Sequence, residues 1–278
     1  MFGEIEHKEV ISIVSRYDTA HRPLKVFDSE YTPYVLKFPN NPFDDSSIIK
    51  EFLCHFLLKC WEIPTTKIAS LHVPSNVIDQ SSQITKREKE LIRNYPCFGS
   101  KLLLHSTELS NLITADNIVS QRRIKNANDI LKIALFDIWV ENDDRKPSNN
   151  NILLNQAGRC FELIPIDHSY TFSSLEFSEL TYTEVCFSDN DSILYSPLAK
   201  SIIKNIKCNR EFYVEYEKMF YICIENVKAL FSRPTSNVAD NLIFTTRDKT
   251  FLSNFLFNNE RNRSVLNNFF HIINSIKK

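Results

Sequence analysis

A carboxylate, an amide five residues later and a second carboxylate across one apolar hairpin constrain this chain more than any other feature. The first lies in Asn142-Asp143-Asp144-Arg145-Lys146-Pro147-Ser148-Asn149, the second is Asp167, and the run Ile164-Pro165-Ile166 leads into it. Asp167 follows Asn149 by eighteen positions, and the residues between read as strand Ile152-Leu154, turn Asn155 to Arg159 and strand Phe161-Ile166. Such a hairpin folds back on itself and brings both flanking side chains to one edge. Phosphoryl transfer needs one acidic side chain beside the attacking hydroxyl, and oxygen ligands for the metal ions that neutralise the phosphates. Asp144 suits the first role. Asn149 and Asp167 suit the second, because magnesium prefers hard oxygen donors and usually takes only one or two carboxylates. Taken alone, the loop also fits an Asp- and Asn-rich surface turn, and residues upstream weigh against that reading.

The pattern Asp-x-Lys-Pro-x-Asn at Asp144, Lys146, Pro147 and Asn149 resembles the catalytic loop of Ser/Thr protein kinases, although the preceding His-Arg is missing. The wider text is similar to the HipA-like kinase family. It runs from Leu135-Phe136-Asp137-Ile138-Trp139 through Asp144-Arg145 to Ile166-Asp167-His168. That family carries Asp-Arg-His-x-x-Asn and then Ile-Asp-His, met here at Asp144, Asn149 and Asp167, with Lys146 in place of the first histidine. Phosphatidylinositol kinases share the layout, so the motif fixes the chemistry more closely than the substrate.

Upstream, Pro33-Tyr34-Val35-Leu36-Lys37-Phe38 is strand-like, and its lysine stands where the kinase pattern Val-Ala-Ile-Lys puts the residue that pairs with the α/β-phosphates. Fourteen residues on, Glu51 lies in a helical segment with the apolar stripe Ile49, Phe52, Leu53, Phe56, Leu57 and Cys60, preceded by the capping cluster Asp44-Asp45-Ser46. Glu51 points away from that stripe. It is either a solvated carboxylate or the partner of Lys37, and Cys54 and Leu58 on its side suggest a helix covered on both faces. The order strand-Lys, helix-Glu, Asp-x4-Asn, Asp is the one expected of a kinase. With Ile63-Pro64 and Phe98-Gly99-Ser100-Lys101, the resemblance covers about residues 10 to 172.

Glycine marks the departure from the kinase pattern. The chain has three, Gly3, Gly99 and Gly158, where average usage of about 7% would give roughly twenty. No Gly-x-Gly-x-x-Gly loop exists to let backbone amides approach phosphates. Ser15-Arg16-Tyr17-Asp18-Thr19-Ala20-His21-Arg22-Pro23 is the candidate cover, with charge from Arg16, His21 or Arg22, and an ordinary solvated hairpin is the alternative. After Asp167, Ser169 stands in place of the glycine of Asp-Phe-Gly, and His168 is read as orienting or packing.

Composition narrows the class. Thirty-three basic against thirty-four acidic residues leave a net charge of −1, which argues against a general nucleic-acid binder. Seven cysteines without Cys-x-x-Cys read as reduced core thiols. No apolar run approaches the roughly 18 residues of a membrane span, and the acidic start is unlike a signal peptide, so a cytoplasmic protein is expected. Strand-rich text gives way to helical text along the chain. Residues 1 to 38 suggest three strands, 44 to 61 a helix and Lys67-Val73 a strand. Pro74 to Pro96 is expected to be a mobile insertion with a short helix at Lys86-Arg93, and about Ala127 to Glu141 a buried helix that delivers Asp144. Hydroxyls at Ser173, Ser174, Ser178, Thr181, Thr183 and Ser188 follow Asp167 where an activation segment would lie. Helices are expected at Leu198-Ile206, Glu211-Phe231 and Lys249-Ile276, with a break at Pro234 and Asn237.

The expectation is an α+β, bilobal protein-kinase-like fold, with a small mixed N-lobe over residues 1–105 and a mainly helical C-lobe over 106–278. The resemblance implies an enzyme using ATP and Mg2+ to phosphorylate a protein Ser or Thr. Lys37 would hold phosphates, Glu51 would position Lys37, and Asp144 would orient or deprotonate the acceptor. Lys146 would meet the transferred phosphate, and Asn149 and Asp167 would bind metal. A small-molecule or lipid-headgroup kinase and a catalytically silent binding module are the alternatives. The partners implied are a protein substrate and, as in HipA-like toxins, an antitoxin-type inhibitor protein.

Overall fold

The computed structural model describes residues 5–19, 22–41, 46–109, 123–180, 185, 192–232 and 245–278. The chain is mixed α/β and divides into two compact units. One comprises 1–56, 66–104 and 234–245; the other comprises 57–65, 105–233 and 246–278. No helix among the described residues is long and apolar enough to cross a membrane.

The first unit is built on a closed five-stranded barrel in the order β1-β2-β3-β5-β4. Its strands are β1 (Glu6–Arg16), β2 (Leu24–Asp28), β3 (Pro33–Lys37), β4 (Ile68–His72) and β5 (Cys97–Lys101). Parallel pairing of Glu6–Glu9 of β1 with Ala69–His72 of β4 closes it. Leu24 and Val26 of β2 and Tyr34 and Leu36 of β3 alternate inward, opposite one another across the β2–β3 ladder. Asp28 ends β2 by accepting at Oδ1 from the N–H groups of Glu30 and Thr32, which forms the turn into β3.

Helix α1 (Ser46–Cys60) begins at the serine of the expected cap; Asp44 and Asp45 lie outside the described residues. Ile48, Phe52 and Leu53 are buried, and so are Cys54 and Leu58 on the other flank, so the helix is covered on both sides.

Pro74 to Pro96 carries the expected short helix, here α3 (Lys86–Asn94), but is otherwise packed rather than a loose insertion: α2 (Ser75–Gln80) precedes it, and Ile78, Ile84 and Ile92 join the barrel's core. A capping box between Thr85 and Glu88 starts α3. Strand β5 was not expected as a strand, and Gly99 explains its sequence: a Cβ there would stand 2.6 Å from both Cγ and Cδ1 of inward-facing Leu71.

The second unit holds a three-stranded antiparallel sheet in the order β6-β7-β8, from β6 (Ser106–Glu108), β7 (Ile152–Ala157) and β8 (Cys160–Pro165). Gly158, at φ +65, lets a two-residue turn join β7 to β8. The helices are α4 (Asp129–Val140), α5 (Pro197–Asn205), α6 (Arg210–Phe231), α7 (Thr246–Phe257) and α8 (Asn259–Lys277). Residues 130, 131 and 133–140 of α4 are all buried, which is the pattern of a helix enclosed by its neighbours. Phe136 and Trp139 join Trp61 and Phe220 in an aromatic cluster with centroids 5.2 to 6.2 Å apart. The expected helix 249–276 is two, because Asn258 breaks it and caps α8 through the Arg261 N–H.

Replacing Gly99 by Ala should lower stability by about 1–3 kcal/mol, since the branched Cγ of Leu71 must move. Urea unfolding checks this through a lower midpoint with an unchanged slope.

Candidate active site

In the first unit, strand alternation decides where Lys37 points. Leu36 faces the barrel interior, so Lys37 lies on the opposite face, where its cross-strand partner is Phe98 of β5. The Phe98 ring meets Phe52 of α1 edge-on at 4.9 Å, and Glu51 is the next residue along that helix. Helix α1 therefore covers this face, and Lys37 Nζ donates to Glu51 Oε1. Glu51 is 3% exposed and Lys37 13%. The solvated-carboxylate alternative for Glu51 does not apply.

In the second unit, the enclosed α4 delivers a loop that the β7–β8 hairpin finishes. Glu141, at φ 49, ends the helix in the left-handed region. Asn142 Oδ1 accepts from the Asp144 N–H, and Lys146 and Asn149 exchange both main-chain hydrogen bonds at 3.1 and 2.9 Å, closing a tight turn over Pro147 and Ser148. Asn149 Nδ2 donates to the Asp144 carbonyl at 3.3 Å. Asn151 Nδ2 donates to Asp144 Oδ2 at 2.7 Å. Asp144 Oδ1 and Asn149 Oδ1 take no partner among the described residues, and neither does the Lys146 ammonium. The Ile166 N–H bonds to the Asn151 carbonyl at 2.9 Å, which sets Asp167 at the open end of the hairpin. Asp144 and Asn149 are thus bonded within one loop, and the Asn151–Ile166 bond ties that loop to the hairpin exit that leads into Asp167; the amide and carboxylate oxygens of Asn149 and Asp167 are donors of the kind magnesium takes.

A buried guanidinium holds this loop. Arg145 is fully buried and donates through Nη1 to Asp137 Oδ1 at 2.8 Å and through Nη2 to the Ile166 carbonyl at 2.7 Å. His168 Nε2 lies 3.2 Å from Nη2. A guanidinium only donates, so Nε2 is the acceptor in this contact. Asn142 Nδ2 also donates to Asp137 Oδ1, at 3.2 Å. Burial pushes the Asp137 carboxyl up to about 6, against the opposing pull of Arg145 and Asn142.

Backbone strain concentrates here. Of the nine described non-glycine residues with positive φ, six lie between Glu141 and Ser174: Glu141, Asn151, Asp167, Phe172, Ser173 and Ser174. Each such residue costs on the order of 1–2 kcal/mol, and packing elsewhere must hold it.

Sequence reasoning did not find Asn151 or the role of Arg145. The i+7 amide carries no motif, and a guanidinium's partners depend on the hairpin register. In the candidate phosphate cover, Arg16 is bound to Glu88 at 2.7 Å. Burial raises the pKa of Glu88, but the bonds from Arg16 and Thr85 outweigh it and hold the carboxyl below its ordinary range. The Tyr17 N–H meets the Pro23 carbonyl at 2.9 Å, Arg22 is exposed, and His21 lies outside the described residues. Thr181, Thr183 and Ser188 lie outside them too. The six described cysteines are free thiols, as read from the sequence.

A buried helix feeding an Asp-Arg loop, a hairpin and a second aspartate is the local plan of a phosphotransferase of the kinase class. Residues 10–216 match the family model of HipA-like kinases, and the chain belongs to that family. Among solved structures, a Golgi casein kinase is 12% identical, with 98% of this chain and 74% of that one covered and a TM-score of 0.41. The Golgi casein kinase with Mn and ADP bound gives 12%, 98%, 74% and 0.39. A search of curated proteins finds no match.

Arg145→Ala should cost about 3–5 kcal/mol, because it strands a buried carboxylate; replacing both partners in Asp137→Asn/Arg145→Met should recover part of that in a denaturant titration. The raised Asp137 pKa sets a pH signature of its own. Between the usual carboxylate value near 3.8 and about 6, the folded chain keeps a proton that the unfolded chain has released. This stabilising contribution is complete below 3.8 and is lost as pH rises through 6. Relative to Asp137→Asn, the wild type should therefore lose about 1–3 kcal/mol between pH 4 and 7, and parallel stability curves for the two proteins would contradict the assignment.

Proposed function

We propose that this protein is an ATP- and Mg2+-dependent kinase that transfers the γ-phosphate of ATP to a Ser or Thr hydroxyl of a protein. The observation that carries the reading is the state of Asp144. Its Oδ2 is fixed by Asn151 and its Oδ1 faces no protein partner among the described residues, within a loop matched by the kinase family. On this reading Asp144 orients the acceptor hydroxyl and takes its proton as the oxygen attacks the γ-phosphorus. The bond to the β,γ-bridging oxygen breaks and ADP leaves. Asn149 and Asp167 would hold the metal, which would neutralise charge on the phosphates. Lys37, oriented by Glu51, meets the α/β-phosphates, and Lys146 lies ready for the transferred group. The bilobal kinase-like arrangement with lobes 1–105 and 106–278, the protein acceptor, an inhibitor protein of antitoxin type and a cytoplasmic location belong to the same proposal.

Retention of Lys37, Glu51, Asp144, Asn149 and Asp167 with the contacts described above favours catalysis over a silent module. A thermal-shift titration with ATP and magnesium should show stabilisation of about 2.7 kcal/mol at 100 times the dissociation constant. Labelled ATP should give transfer that Asp144→Ala and Asp167→Ala abolish, with Asp144→Ala still folded and still shifted by nucleotide. Absence of any shift would point to a protein that does not bind nucleotide. Transfer to a small alcohol or lipid headgroup, but to no protein, would reassign the acceptor.

A further inference from the structure

Asp144 is gripped at two points by two different amides. Asn149 Nδ2 donates to its main-chain carbonyl at 3.3 Å, and Asn151 Nδ2 donates to its carboxylate oxygen Oδ2 at 2.7 Å. The first contact holds the backbone of the loop but leaves the carboxyl group to turn about χ1 and χ2, and the χ2 well of an aspartate is broad. Among the described residues, only the Asn151 amide touches the carboxylate itself. Asn151 is also the last residue before β7, and its main-chain carbonyl accepts from the Ile166 N–H at 2.9 Å. One residue therefore bonds the Asp144 carboxylate with its side chain and the hairpin exit with its main chain. Its φ is 45, in the left-handed region that asparagine tolerates because its side chain is short and polar. The residue type matters as well as the conformation. An amide nitrogen donates, whereas an ionised aspartate of the same shape only accepts and glycine offers no side chain at all.

We propose that Asn151 is a positioning residue: its amide sets the rotamer of the Asp144 carboxylate, and its main chain ties that carboxylate to the strand leading into Asp167. The two tasks are separable. Glycine at position 151 adopts the left-handed conformation without strain and keeps the carbonyl that receives Ile166, yet it removes the donor to Asp144 Oδ2. Asp144 then retains its place in the chain and its charge, while its carboxylate is no longer aimed in one direction. An acceptor of the substrate proton that is misplaced by about 1 Å costs about a hundredfold in rate. Nucleotide binding, which on the kinase reading belongs to Lys37, Asn149 and Asp167, is left intact. The loss therefore falls on kcat and spares KM for ATP. This consequence for turnover rests on the kinase reading, and the rotamer of Asp144 does not.

Three variants of the full chain test this: Asn151→Gly, Asn151→Ala and Asn151→Asp. Three-bond NMR couplings at the Asp144 β-protons should report one χ1 rotamer in the wild type and averaged rotamers in Asn151→Gly. In phosphate transfer, Asn151→Gly should keep the wild-type KM for ATP and the thermal shift with ATP and magnesium, and should lose about tenfold or more in kcat. Asn151→Ala lacks the same donor and adds the strain of a left-handed alanine, so it should match Asn151→Gly in kcat while melting lower. Asn151→Asp should lose at least as much kcat, because a carboxylate repels Asp144 where the amide donated. Wild-type kcat in Asn151→Gly overturns the proposal and leaves the kinase reading standing. A single Asp144 rotamer in both chains also overturns it. So does a kcat that follows the melting temperature from Asn151→Gly to Asn151→Ala, which would make Asn151 a turn residue and nothing more. A wild-type chain that transfers phosphate to no acceptor sinks the kinase reading, and the couplings alone then decide the role of Asn151.

Discussion

The join between the Asp144 loop and the hairpin exit into Asp167 depends on one buried guanidinium. Arg145 has no contact with water, so its charge is tolerated only because a carboxylate, a carbonyl and an imidazole nitrogen lie in its reach. Those partners come from three stretches of chain: α4, the exit of β8 and the residue after Asp167. A planar fork of donors can serve all three in fixed directions, and an ammonium cannot. Arg145 also leaves Nε without a partner, and Asp137 leaves Oδ2. Unmet buried polar atoms cost on the order of 1–3 kcal/mol each.

Glycine scarcity and backbone strain are two sides of one constraint. A chain with three glycines must fill left-handed positions with ordinary residues wherever its turns demand them. Asn151 tolerates this conformation because a short polar side chain finds local partners, and its amide is turned to use on Asp144. Phe172, Ser173 and Ser174 have less to recommend them locally, so tertiary bonds must hold them. Ile166 to Asn151 and Ser173 to Glu141 are such bonds. The strained positions therefore fall where the hairpin and α4 can supply anchors, and that is also where side chains need exact aim.

Much of this was legible without coordinates, and the failures share a cause. Asp144, Asn149 and Asp167 could be read because their spacing brackets a hairpin, and β7 and β8 follow that reading with Gly158 at the turn. The Lys37–Glu51 pair could be read from order alone. The burial of Glu51 could not be settled, because what covers the second flank of α1 is tertiary. Pro74 to Pro96 misled because Ser81-Ser82-Gln83 and the charged run after it outweigh three isoleucines spaced too far apart to show a period. Strand β5 was obscured by Gly99, which looks like a break and is in fact the gap that receives Leu71. Arg145 and Asn151 escaped because their partners exist only once the register is set.

Two of the buried ion pairs among the described residues, Asp137–Arg145 and Lys37–Glu51, differ in a way that fits the roles proposed for them. Asp137 and Arg145 are shut from solvent on both sides, and every donor they exchange fixes protein to protein. Lys37 and Glu51 are asymmetric: the carboxylate is enclosed, while the lysine keeps some exposure on the outer face of the barrel. An ammonium is a point charge with three donors on a flexible stem, and Glu51 is one of its partners. A pair built like Arg145 and Asp137 could hold an edge together but could not also receive phosphate. A pair built like Lys37 and Glu51 suits the role proposed for it, since its enclosed carboxylate steers a cation that keeps some exposure.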